Sequence, residues 1–268
     1  MSFIIDPYRF NTCPAEALAF ITAAGITDAT QRQAICTLVR DLQSYGIWNK
    51  MKAIYPMVGG TSTTCKYNLK DPRDLDAAYR LVFSGGWTFS NTGALPNGVN
   101  AAANTFLTQV TSGAYNNTHL SYYSRSNVLD TNLRVEMGAG VGSDFISLYL
   151  GLFFSGVRVY GGNCGSKGAN ITNPTNTLGL GINNATSSTL QKIYRNGIEI
   201  ANSTATQTAT PSSLVNIYLG AQGALSGPTA FSNRECAFAS IGDGLTDADA
   251  ANLYTAVQFY QTTLGRQV

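Results

Sequence analysis

Hydrolysis of a glycosidic bond needs two carboxylates, one on each side of the bond, acting as nucleophile or base and as acid. The chain has only Glu16, Glu136, Glu199 and Glu235 as glutamates, and none has a second glutamate or an aspartate within a few residues. A serine, histidine and aspartate triad would have to use His119, the single histidine, which sits in a strand-like stretch without a nucleophile elbow. Zinc needs clustered thiolates and imidazoles; five scattered cysteines and one histidine do not supply them. Asp71, Asp74 and Asp76 lack the glycine and distal glutamate of a calcium loop and read as capping carboxylates. Gly138–Ala–Gly140–Val–Gly142 is not followed by a helix and reads as a turn, not a nucleotide-binding loop. The expectation is therefore no enzyme, no catalytic residue, no metal and no cofactor.

Binding chemistry leaves more trace. Between Phe145 and Phe154 apolar residues alternate on two faces. Ile146, Leu148, Leu150, Leu152 and Phe154 fall on one side, and Phe145, Tyr149 and Phe153 on the other. The aliphatic side is expected in a core. The aromatic side is a subunit interface, a second core under the N-terminal helices, or a platform on which a sugar ring stacks.

The elements that would position such a strand are short strands separated by turn signals, as in a sandwich. Asn196–Gly197 supplies the positive φ values of a two-residue hairpin turn, with Ile193 before it and Ile198 and Ile200 after it on a buried face. Further strands are expected at Val215–Leu219 and Cys236–Ile241. Trp87 to Asn104 reads as loop with short strands. Leu245 to Tyr260 reads as a helix capped by Thr246, with Asp247 and Asp249 in its first turn. Two helices open the chain. One runs from Pro14 to Gly25; the other, capped by Asp28, carries Ile35, Leu38, Val39 and Leu42 on one face. Residues 1–50 are thus expected as a helical segment and 51–268 as the β-sandwich with its C-terminal helix. The apolar face of the hairpin packs on the sandwich or on a neighbouring subunit. The hairpin is expected as the docking element and the sandwich as the outward-facing module, so deletion of residues 1–46 is expected to leave a folded β domain that no longer assembles.

The stretches "KIYRNGIEIA", "IYLGA" and "IGDGLTDADAANLY" resemble the C-terminal half of laminin-G-like, concanavalin A-like jelly-roll domains. The stretches "GIWNKMKAIYPMVGGT", "YNLKDPRDLDAAYRLVFSGGWT" and "TLGRQV" resemble segments of structural proteins of phages that infect Bacteroidetes-type bacteria. The resemblance implies a mainly β fold: a two-layer antiparallel jelly-roll sandwich with an N-terminal helical hairpin and a C-terminal helix. It also implies a virion component, a head or tail fibre or a decoration protein. Its partners would be other virion subunits in a homo-oligomer, a trimer if it is a fibre, and a host surface glycan. A free carbohydrate-binding lectin is the alternative. Laminarinase-type relatives carry an E-x-D-x-x-E strand, which is absent here.

Composition limits the partners. The 268 residues carry a net charge of +2, only 12% are charged, and no Lys/Arg run occurs, so nucleic acid is not expected. No apolar run is long enough to span a bilayer, so no membrane insertion is expected. The N-terminus lacks a basic start followed by a long apolar stretch, so synthesis and assembly in a cytoplasm are expected; the resemblance implies that of a bacterial host. Cys13, Cys36, Cys65, Cys164 and Cys236 are odd in number, and no structural disulfide is expected.

Overall fold

A computed structural model describes residues 12–268. Helices α1 (Ala15–Ala23) and α2 (Ala29–Ser44) come first. The Asp28 carboxylate accepts the Gln31 N–H at 2.8 Å, satisfying one of the otherwise unpaired donors of the first turn. A one-turn helix α3 (Ser62–Cys65) follows, and α4 (Asp247–Thr263) closes the chain. Thr246 and Asp249 cap α4 reciprocally, each side chain accepting the other's backbone N–H.

Two sheets of eight strands form the sandwich. The first runs β13 (Ile198–Ser203), β12 (Leu190–Arg195), β11 (Gly179–Ser187), β6 (Thr118–Ser124), β16 (Cys236–Gly242), β4 (Gly93–Pro96) and β3 (Trp87–Ser90), with β1 (Met51–Tyr55) also on β16. The second runs β10 (Lys167–Thr172), β9 (Val157–Gly165), β8 (Asp144–Phe154), β7 (Met137–Val141), β14 (Asn216–Leu219), β5 (Ala102–Thr108) and β2 (Val82–Ser84). The short β15 (Gln222–Gly223) pairs with β7 in parallel, and the other pairings are antiparallel. The expected architecture is therefore observed.

There are two apolar layers. Between the sheets, Leu120, Tyr122, Ile193 and Ile241 meet Ile146, Leu148, Leu150 and Leu219. On the outer face of the first sheet, Tyr123, Leu180, Ile182 and Phe238 are covered by Phe20, Leu38 and Leu42 of the N-terminal helices and by Leu253 and Val257 of α4. β6 and β16 are consequently buried on both faces along their whole length. The apolar face of the N-terminal hairpin is spent on this sheet and on α4 instead of on a neighbouring subunit.

Four local expectations change. The register of β8 against β9 slips between Tyr149 and Leu152, a bulge that rotates the end of the strand. Leu152 is therefore half-buried and Phe154 is 66% exposed, although simple alternation placed both in the core. The Asn196–Gly197 turn forms with φ of 51° and 78°, but a slip between Ile193 and Tyr194 leaves Ile198 69% exposed at the sheet edge and Ile200 half-buried. Gly138 to Val141, expected as a turn, is most of β7; a Cβ on Gly140 would sit 2.1 Å from the Phe145 ring, so glycine here makes room for a neighbour. Finally, Cys13 and Cys36 form a disulfide, which overturns the expectation of none. The odd count misled because Cys65, Cys164 and Cys236 are separately buried as small apolar side chains. Burial raises these three thiols, Cys65 to about 11 and Cys164 to about 12.

Candidate functional site

The side of the sandwich where β2 ends one sheet and β3 ends the other carries an open cleft of about 390 Å³. The two edge strands are joined by Gly85–Gly86. Gly85 has φ +73°, and a Cβ there would meet the Asn100 carbonyl at 2.0 Å, so the tight passage between sheets requires glycine. The Asn97 carboxamide oxygen accepts the N–H groups of Val99, Asn100 and Ala101 and braces the facing loop. This crossing brings Phe83 from one sheet against Trp87 and Phe89 from the other.

The three rings make a corner. Phe83 meets Trp87 edge-on at 5.2 Å and 75°, and Phe89 at 4.9 Å and 86°. Trp87 and Phe89, two residues apart on one strand face, lie 23° from parallel with centroids 6.2 Å apart. The indole N–H donates to the Ser84 carbonyl at 3.0 Å, which fixes the ring. All three side chains pack on the inter-sheet core and remain partly exposed.

The cleft is also lined by polar groups. Ser62 and Thr63 of α3 line it with Lys66 and Arg80. Asp74 accepts from Lys66 at 2.5 Å and from Arg80 Nη1 at 2.8 Å, and Asp76 accepts from Arg80 Nε at 2.8 Å. These hydrogen bonds hold the Asp74 carboxyl below, and the Arg80 guanidinium above, their ordinary ranges. Apolar rings beside a few fixed polar groups are the usual make-up of a ligand cleft.

Phe145, Tyr149 and Phe153 lie elsewhere, on β8, and do not line the cleft. Phe145 is half-buried opposite Gly140. Tyr149 is 6% exposed, and burial pushes its hydroxyl up to about 12. Phe153 is half-buried, with the Arg158 guanidinium 5.9 Å from its centroid. No two of these rings pair with each other among the described residues. Phe83 ends a stretch that reads as a strand, but Trp87 and Phe89 were missed because they sit in a glycine-rich stretch read as loop with short strands. The available signal was Trp87 and Phe89 at a spacing of two, directly after a Gly-Gly break.

Most of the groups weighed for catalysis are committed to structure, and Glu16 is exposed on α1. His119 is fully buried; its Nδ1–H donates to the Asp243 carbonyl at 2.7 Å, and Nε2 lies 3.0 Å from the Ser240 hydroxyl. Burial lowers its pKa to about 4. Glu136 pairs with Arg234, Glu199 with Lys192 and Glu235 with Arg125. Asp71 pairs with Arg73, and the short turn Asp76–Ala78 starts after Leu75 with no side-chain cap, so the three aspartates are ion-pair partners and not the capping carboxylates expected. No group of three or more metal-ligating side chains occurs among the described residues. No helix among them is long and apolar enough to cross a membrane.

No protein-family model matches the chain, and no curated protein matches it. Solved structures do. Domain 4 of AbnA, a GH43 extracellular arabinanase from Geobacillus stearothermophilus, in complex with arabinotriose, aligns with a TM-score of 0.51 at 16% identity, over 76% of this chain and 98% of that one. A botulinum neurotoxin type C structure, described as showing that cell entry depends on interaction with two ganglioside molecules, aligns with a TM-score of 0.51 at 13% identity, over 78% of this chain and 52% of that one. The fold is a jelly-roll-like sandwich. At these identities the likeness is one of fold.

Proposed function

We propose that this chain is a non-enzymatic, lectin-like module that contacts glycan in the β2–β3 cleft. We propose further that it serves as a structural subunit of a phage virion, a fibre or decoration protein. The observation that carries the glycan reading is that the corner of Phe83, Trp87 and Phe89 lines one cleft with Lys66 and Arg80. A sugar ring offers an apolar C–H face and a rim of hydroxyls. The corner supplies partners for the first, and the polar groups supply them for the second. The AbnA domain in complex with arabinotriose supports the reading by showing an oligosaccharide on a sandwich of this kind. The non-enzymatic part is supported by the burial of His119 and the pairing of Glu136, Glu199 and Glu235 with cations.

The virion role is supported by the resemblance of the N-terminal and C-terminal segments to phage structural proteins. It is also supported by a surface with few charges, which suits close packing of subunits. It implies synthesis in a bacterial host cytoplasm and a homo-oligomer, a trimer in a fibre.

Two measurements test the proposal. Trp48 is buried and Trp87 lines the cleft, so tryptophan fluorescence titrated with a panel of oligosaccharides reports occupancy. Binding is expected, and Phe83→Ala and Phe89→Ala should weaken it. A panel that leaves fluorescence and isothermal heats unchanged would refute the glycan reading. Sedimentation velocity separates the roles: an oligomer is expected of a particle subunit, and a monomer that binds sugar would favour a free lectin.

A further inference from the structure

We propose that the cleft takes an acidic saccharide, its carboxylate on Arg80 and its ring in the aromatic corner, an inference that rests on the glycan reading above. The charged side chains that line the cleft are Lys66 and Arg80, and no carboxylate lines it. Arg80 is held from behind: Asp76 takes Nε and Asp74 takes Nη1, each at 2.8 Å. Its Nη2 has no partner among the described residues. A guanidinium pinned on two of its nitrogens loses little freedom when the third binds, and the planar N–H geometry suits a carboxylate. A ligand carboxylate can accept from Nη2 without displacing either aspartate. Lys66 spends one of its three donors on Asp74 and keeps the others.

The cluster of Lys66, Arg80, Asp74 and Asp76 sums to zero charge. It therefore exerts no long-range pull on an anion, and recognition must come from short-range hydrogen bonds. That separates an acidic sugar from polyanions in general: the cleft offers one charged anchor beside an apolar corner, not a basic surface. Galacturonic and sialic acids share the needed chemistry, a carboxylate on a sugar ring.

The test titrates the full chain with trigalacturonate and with sialyllactose, each against its own neutral methyl ester. For at least one acid, the parent should bind roughly tenfold or more tightly than the ester, the scale of a hydrogen bond to a charged group. Arg80→Gln should abolish the preference, bringing acid and ester to the same affinity. Lys66→Gln, a second variant in the same cleft, should reduce acid binding in the same direction. Esters that bind the parent as tightly as the acids would overturn the inference while leaving the glycan reading intact. So would an acid preference that survives Arg80→Gln. Absence of binding by acids, esters and neutral oligosaccharides alike would overturn both.

Discussion

Glu136 and Arg234 form an ion pair at 2.6 Å with both side chains fully buried. Glu136 also accepts the Leu150 N–H at 2.7 Å and the Ser232 hydroxyl at 3.0 Å. Arg234 donates to the carbonyls of Val128 and Gly151 as well. The carboxylate therefore ties β8 to the segment that leads into β16. Glu136→Ala strands a buried guanidinium and removes the acceptor of a buried N–H. Breaking one partner of a buried pair costs about 3–5 kcal/mol. Domains of this kind have about 5–15 kcal/mol in all, so the loss is a large fraction of stability. Urea unfolding, followed by tryptophan fluorescence and far-UV circular dichroism, should show the midpoint falling accordingly. The loss should change little between low and high salt, because a buried pair is poorly screened. Glu16→Ala, at an exposed position, should be silent. A loss below about 1 kcal/mol for Glu136→Ala would show that water reaches Arg234 and would refute the reasoning.

Three further outcomes are expected. The disulfide closes a 23-residue separation, for which chain entropy gives about 3 kcal/mol, so Cys36→Ser or reductant should lower the thermal midpoint by several degrees; equal midpoints would mean the thiols are free in solution. His119 has a folded-state pKa lowered to about 4, chiefly by burial, so the unfolded chain binds the extra proton first as pH falls. Its contribution is intact above about pH 6.5 and is lost on going from there toward pH 4, on the order of 3 kcal/mol; a His119→Asn variant with the same slope between those values would count against it. Leu38→Asp, which buries an unpaired carboxylate, or deletion of residues 1–46, which strips part of the cover from the outer face of the first sheet, should yield insoluble chain. A soluble, cooperatively melting truncation would instead make the helices a separate attachment device.

Much of the fold could be read from local pattern. The capped helix after Thr246, the Asn196–Gly197 turn and the apolar face of α2 each depend on neighbours within a few residues, where dihedral preference and periodicity act. The inward face of β8 as far as Leu150 was legible for the same reason. What the chain does beyond each bulge was not, because a bulge is set by the partner strand: Phe154 and Ile198 keep the right spacing and end up exposed. Glycine misled twice in the same way. Gly138 and Gly140 read as turn formers, yet they stand in a strand because Phe145, Ser147 and Gln222 occupy the space a Cβ would take.

The candidate site was decided almost wholly by tertiary structure. Phe83, Trp87 and Phe89 are close in sequence, but they form a corner only because a glycine turn sends the chain from the edge of one sheet to the edge of the other. Arg80 acquires its fixed orientation from Asp74 and Asp76, which by sequence were ordinary capping carboxylates. The Glu136–Arg234 pair joins residues 98 positions apart, and the Cys13–Cys36 bridge depends on how the segment before α1 lies on α2. Residue types and spacing fix what a segment can be. Which side chains meet across the sandwich is settled by strand order, and strand order is set by contacts that no short window contains.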